Sequence, residues 1–191
     1  MISDGFPHYV HLITEKVLWK TFQDPEPITT SKPQHYTRGI NEAVLDIEPH
    51  LKATYEKATL KYKSDYETVL WAVADHHELK RRSTDIYNSY TPIMRSLKED
   101  ALTSLGLLNA NPLWRDTFNQ RMNSLKRVNH ASILRANRQG WYEFSEAVVR
   151  GYVRLRAEAR GVELGNEHPL DARNPDALAN IPSSNVFRSH Q

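Results

Sequence analysis

The sequence predicts a mainly α-helical protein carrying one short β-hairpin, and two patterns predict it. Apolar residues recur every three or four positions through most of the chain, whereas two short runs, Ser132-Ile133-Leu134-Arg135 and Trp141-Tyr142-Glu143-Phe144, have the β-branched and aromatic content of strands. Ala136-Asn137-Arg138-Gln139-Gly140 joins those runs, a connection of hairpin length that contains a glycine.

Val10, Ile13, Val17 and Leu18, with Tyr9, Leu12 and Trp19 beside them, predict a first helix over residues 7–22, and Pro7 suits its first turn, where a missing N–H is harmless. The stretch D-P-E-P-I-T-T-S-K-P at 24–33 holds three prolines and interrupts it. Helical spacing returns through Tyr36, Ile40, Val44, Leu45 and Ile47, pauses at Pro49, and resumes through Leu51, Tyr55 and Leu60 as connecting helices. Tyr66, Val69, Leu70, Val73 and Ala74 predict an amphipathic helix from Asp65 that ends in the charged run Glu78-Leu79-Lys80-Arg81-Arg82. Ser83-Thr84-Asp85 offers helix-capping chemistry to a segment carrying Ile86, Tyr87, Tyr90, Ile93, Met94 and Leu97, with a kink or restart expected at Pro92.

The next helix, over residues 114–129, places Phe118, Met122, Leu125 and Asn129 on one face and Asp116, Gln120, Asn123 and Arg127 on the other. After the hairpin a last helix, capped near Ser145, uses Val148, Val149, Tyr152, Val153 and Leu155. Beyond Gly161 the chain turns polar, with Pro169, Pro175 and Pro182 and no periodicity, so residues 162–191 read as a largely disordered tail. Helix, helix, helix, hairpin is the element order of a winged helix, a helix-turn-helix variant whose third helix commonly enters a major groove.

Composition sets the outer bounds. With 191 residues, 39% of them hydrophobic, the chain has room for one ordinary core. There is no cysteine, which excludes disulfides and thiolate metal sites and fits a cytoplasmic setting. The N-terminus lacks the regions of a signal peptide, and no apolar run approaches the roughly 20 residues of a spanning helix, so no membrane partner is expected. The formal charge of +2 is too small to announce a nucleic-acid binder, so the distribution of charge has to decide.

Local wording adds a resemblance. S-D-G-F-P-H-Y-V-H-L-I-T-E-K at 3–16 resembles the start of the last lid helix in AAA+ ATPases of the origin-recognition and related ATP-binding-protein type. D-I-Y-N-S-Y at 85–90, F-N-Q-R-M-N-S-L-K at 118–126, A-S-I-L at 131–134 and G-W-Y-E-F-S-E at 140–146 resemble the winged-helix domain that follows that lid. Covering residues 3 to about 160, the resemblance implies a lid-helix remnant at 1–24, a linker and connecting helices at 25–62, a winged-helix domain at 63–161 and the tail. Where that family's sensor arginine follows the proline, this chain has His8.

A phosphate-cradling loop needs clustered glycines followed by Lys and Ser or Thr. Gly5, Gly39, Gly106, Gly140, Gly151, Gly161 and Gly165 are scattered, none is followed by Lys, and no hydrophobic strand ends in paired acids to hold Mg²⁺. The chain is therefore expected to be no enzyme and to hold no cofactor of its own, with ATP and Mg²⁺ entering only through a separate ATPase core.

Candidate sites reduce to one. His8 and His11 are three apart and lack a third ligand, and the His76-His77 pair reads as two divergent groups at a helix end. Asp75, Glu78, Glu99 and Asp100 lie in mixed-charge stretches that would not raise a carboxyl pKa. Tyr87, Tyr90, Phe118, Tyr142 and Phe144 fall at core spacing, and strand alternation sets Trp141 and Glu143 on the other face, leaving Trp141 available for stacking. From Arg115 to Arg160, ten Lys or Arg stand against four acids, the footprint of phosphate binding. Duplex DNA is accordingly the expected partner, with Gln120, Asn123 and Arg127 toward base edges, Lys126 assisting, and Arg135 and Arg138 on phosphates. The competing reading is an interaction module that docks on an ATPase core or a homologous subunit through an apolar patch of the first helix.

Overall fold

The computed structural model describes residues 6–26, 29–47, 49–60 and 65–165. Its elements run α1 (Pro7–Phe22), α2 (Pro33–Asp46), α3 (Pro49–Thr59), α4 (Asp65–Ala74), β1 (Arg81–Arg82), α5 (Ser83–Ser96), α6 (Glu99–Leu105), α7 (Arg115–Leu125), β2 (Leu134–Arg138), β3 (Trp141–Phe144) and α8 (Ala147–Ala159). The fold is mainly α with a short hairpin, to which β1 adds a third antiparallel strand in the order β1-β3-β2. Each of the first three helices opens on a proline, whose fixed φ starts a helix and whose missing N–H falls where no intrahelical partner exists.

The architecture is organised by α4, all of whose ten residues are buried. A helix leaves its last carbonyls without intrahelical partners and carries negative potential at that end, so a buried C-terminus needs donors. Three buried arginines supply them. Arg81 donates from Nη1 to Ala72 O at 2.7 Å, Arg154 donates to Ala74 O, and Arg150 donates to the carbonyls of His76 and His77 just past the helix. The opposite end carries carboxylates, as the dipole favours: Asp65 accepts from Arg121 Nε at 2.9 Å, and Glu67 accepts from the Tyr55 hydroxyl at 2.6 Å with Arg156 and Arg160 each 3.5 Å away.

Around α4 a single apolar cluster runs from Tyr9 to Leu164. The connecting helices and the first helix therefore share one core with the segment that follows, across the boundaries expected at residues 24 and 62. Contact between α1 and α2 is close because Gly39 has no side chain: a Cβ there would stand 2.9 Å from both Cα and N of Val17. Tyr9 crosses to α8, where its hydroxyl donates to Val148 O at 2.9 Å over Gly151.

Several expectations are corrected. The ordered chain continues past Gly161, since Val162 and Leu164 are buried and Gly165 N–H donates to Asp75 Oδ1 at 2.8 Å; the rest of the expected tail, and residues 1–5 of the lid-like opening, lie outside the described residues. Pro92 neither ends nor restarts α5, which runs through it to Ser96. Ser83 caps nothing, because Arg82 is the residue before the helix, and Ser145 turns its hydroxyl to Ser132 O across the hairpin base, not to α8.

Two substitutions test this packing. Arg154→Ala strips a buried donor from the end of α4 and is expected to lower unfolding free energy by about 3 kcal/mol, read by urea denaturation. Gly39→Ala, which in an uncrowded helix would stabilise by about 1 kcal/mol, is expected instead to destabilise by about 1 to 3 kcal/mol, because the new methyl group meets backbone. Unchanged stability of either variant contradicts the packing described.

Candidate nucleic-acid interface

Burial of Phe118, Met122 and Leu125 fixes the orientation of α7 as the sequence predicts. The helix is shorter than expected, however. Trp114 is extended and exposed before it, and after Leu125 the chain leaves helical geometry, with Arg127 at φ −85° and ψ 152°. The cause lies in the next residues: a 3₁₀ turn at Val128–His130 docks His130 against α3, its Nδ1 2.8 Å from Ala58 O and its ring 4.5 Å from that of Tyr66. Ala131 and Ser132 then take φ of 57° and 47°, reversing the chain into β2.

Between α7 and the hairpin lies a cleft of about 570 Å³. Asn119, Asn123 and Lys126, one stripe at i, i+4 and i+7, form one wall; Ala136, Arg138, Gln139, Gly140 and Tyr142 form the other, with Ser83 at the edge. Among the described residues no Asp or Glu lines it. The Tyr142 hydroxyl donates to Asn123 Oδ1 at 3.4 Å, and the Lys126 ammonium lies 5.4 Å from the Tyr142 ring centroid, so both α7 side chains are oriented by the hairpin. Burial pushes the Tyr142 phenol above its ordinary value, which keeps it a neutral donor.

Of the residues expected at the site, Asn123, Lys126 and Arg138 are brought together in this cleft. Gln120 is exposed on α7 but outside it, and Arg127 is exposed beyond the end of the helix, so the face argument that grouped it with Gln120 and Asn123 does not hold. Arg135 lies outside the cleft: its Nε donates to the buried Glu143 carboxylate at 2.9 Å, a carboxylate shared with Lys80, while more than half of the Arg135 side chain stays exposed. Asn119 and Gln139 were missed, although Asn119 was readable as the helical neighbour of Asn123 and Lys126.

The basic surplus is redistributed as well. Among the ten cations, Arg121, Arg156 and Arg160 serve the acidic end of α4, Arg150 and Arg154 its carbonyl end, Arg135 meets Glu143, and Arg115 lies 4.8 Å from the Tyr87 ring centroid. Lys126, Arg127 and Arg138 are left to the surface beside the cleft.

The other constellations stay apart from it. His8 and His11 are exposed on α1. His76 and His77 do not diverge, because α4 has ended and their rings lie 4.1 Å apart; with Glu78 they form the one group of three possible metal ligands among the described residues. Partial burial, and then His77 and Arg81, push the His76 imidazole below its ordinary value. Tyr87, Tyr90 and Phe118 pack on one another in the core, with ring centroids 5.0 to 6.2 Å apart.

If pairing with Glu143 holds Arg135 away from phosphates, Arg135→Ala leaves the salt dependence of any polyanion binding unchanged, whereas Lys126→Ala makes it shallower by about 0.7 to 0.9 in log–log slope. Binding isotherms over a salt series check both, and a shallower slope for Arg135→Ala contradicts the assignment. Compared with known proteins, the chain matches no family model, no curated protein and no solved structure.

Proposed function

We propose that the part of the chain from α4 to β3 works as a winged-helix domain that binds duplex DNA, as a non-catalytic accessory of an AAA+-type ATPase whose core lies elsewhere. The observation that carries this reading is the acid-free cleft, where amides and cations from α7 and the hairpin converge without a carboxylate. Amides match base edges and cations match phosphates, and α7 is the third of the α4, α5, α7 set that precedes the hairpin. The small α6 is an insertion between the second and third of these helices. No helix among the described residues is long and apolar enough to cross a membrane.

A second reading has its own observation. On α1, Leu18, Trp19 and Phe22 are 59%, 52% and 81% exposed, while Tyr9 and Ile13 carry the packing of that helix. Such a patch favours docking on an ATPase core or a neighbouring subunit.

Fluorescence anisotropy with a labelled duplex separates the two. Lys126→Ala is expected to weaken binding to every duplex about three- to tenfold, and Asn123→Ala to relax sequence preference by up to the roughly 1 to 3 kcal/mol that one good base contact provides. Absence of duplex binding at low salt, together with self-association abolished by Trp19→Ala, would favour the docking reading instead.

A further inference from the structure

Outside the cleft, the sheet carries two cross-strand rungs of opposite design. In the first, Glu143 on β3 stands between Arg135 of β2, at 2.9 Å, and Lys80 just before β1, at 3.7 Å, so a buried carboxylate answers the outer cations. In the second, register places Trp141 opposite Arg82 of β1 and Arg138 of β2. Their guanidinium carbons lie 5.0 and 4.9 Å from the indole centroid. The aromatic ring orders both cations without neutralising either. Among the described residues neither Arg82 nor Arg138 makes an ion pair. Two exposed like charges held at one ring repel each other, and an anion bridging them removes that repulsion while accepting forked N–H donors.

We propose that Arg82, Trp141 and Arg138 form a clip for the sugar–phosphate backbone of DNA, with Trp141 acting as the plate that orders the two guanidiniums and not as a stacking surface for a base. The clip rests on the duplex-binding reading and extends it, since Arg138 belongs both to the clip and to the cleft wall and so places the gripped strand beside α7. Arg82 enters from β1, outside both the hairpin and the basic stretch from 115 to 160, and is a binding residue that neither of those features contains.

The test uses the full chain and a fluorescein-labelled duplex over a salt series. Arg82→Ala, at an exposed position, is expected to keep the fold by circular dichroism, to weaken binding about three- to tenfold, and to make the log–log salt slope shallower by about 0.9. Trp141→Leu is expected to weaken binding several-fold although no charge is removed, with Arg82→Ala keeping the clip testable should the tryptophan variant unfold. If Arg82→Ala binds like the parent while Lys126→Ala is weakened, the clip is overturned and the cleft reading survives. If the parent chain binds no duplex at all, the reading beneath the clip fails and the clip falls with it.

Discussion

Three guanidinium groups converge on the carbonyl end of one fully buried helix, and the rest of the molecule is arranged around that requirement. Taking α4 into the core brings its unpaired carbonyls and negative potential with it, and these need donors from the protein. Arg81 arrives from the start of the sheet, and Arg150 and Arg154 from α8, one helical turn apart. Strand β1 and helix α8 are thereby fixed relative to α4, and with them the hairpin that lies between α7 and α8 in the chain. The acidic end of α4 holds the other partners: Arg121 ties it to α7, and Tyr55, Arg156 and Arg160 tie it to α3 and α8. The surface offered by α7 and the hairpin thus depends on ion pairs well below it.

Much of the framework was legible because it is written in periodicity. Phe118, Met122 and Leu125 repeat at the period of a helix, so the buried face of α7 and the outward position of Asn123 follow from spacing alone, whereas burial along β3 does not alternate, because Glu143 is buried beside Tyr142 and Phe144. What periodicity misses is where elements stop. The end of α7 is set by His130 meeting a carbonyl 72 residues away, and the conversion of Arg81-Arg82 into a strand is set by pairing with Trp141 and Tyr142; neither partner lies within reach of a local pattern. The placement of Arg82 over the Trp141 ring was invisible for the same reason.

Charge was legible in amount and illegible in use. A surplus of arginine from 115 to 160 reads as a surface for phosphates, yet a guanidinium is also the side chain best suited to satisfy several buried carbonyls at once. Burial of Arg150 and Arg154 decides in favour of the second use for those two, while Arg135 stays exposed and is paired with Glu143. Four cations remain at the surface of this part of the chain, Lys126 and Arg138 lining the cleft, Arg82 on β1 and Arg127 past the end of α7, on a chain whose formal charge is only +2. A narrow acid-free cleft flanked by these groups is a more specific arrangement than a basic face.

We propose that these four cations meet a nucleic acid while the buried arginines serve the fold, and the salt dependence of duplex binding by the unaltered protein tests this most directly. Each phosphate neutralised contributes about −0.9 to the slope of log affinity against log salt, so the account predicts a slope of about −3 to −4. A slope of about −6 or steeper would mean that arginines assigned here to the core are meeting phosphates, and undetectable binding at low salt would remove the nucleic acid from the account altogether.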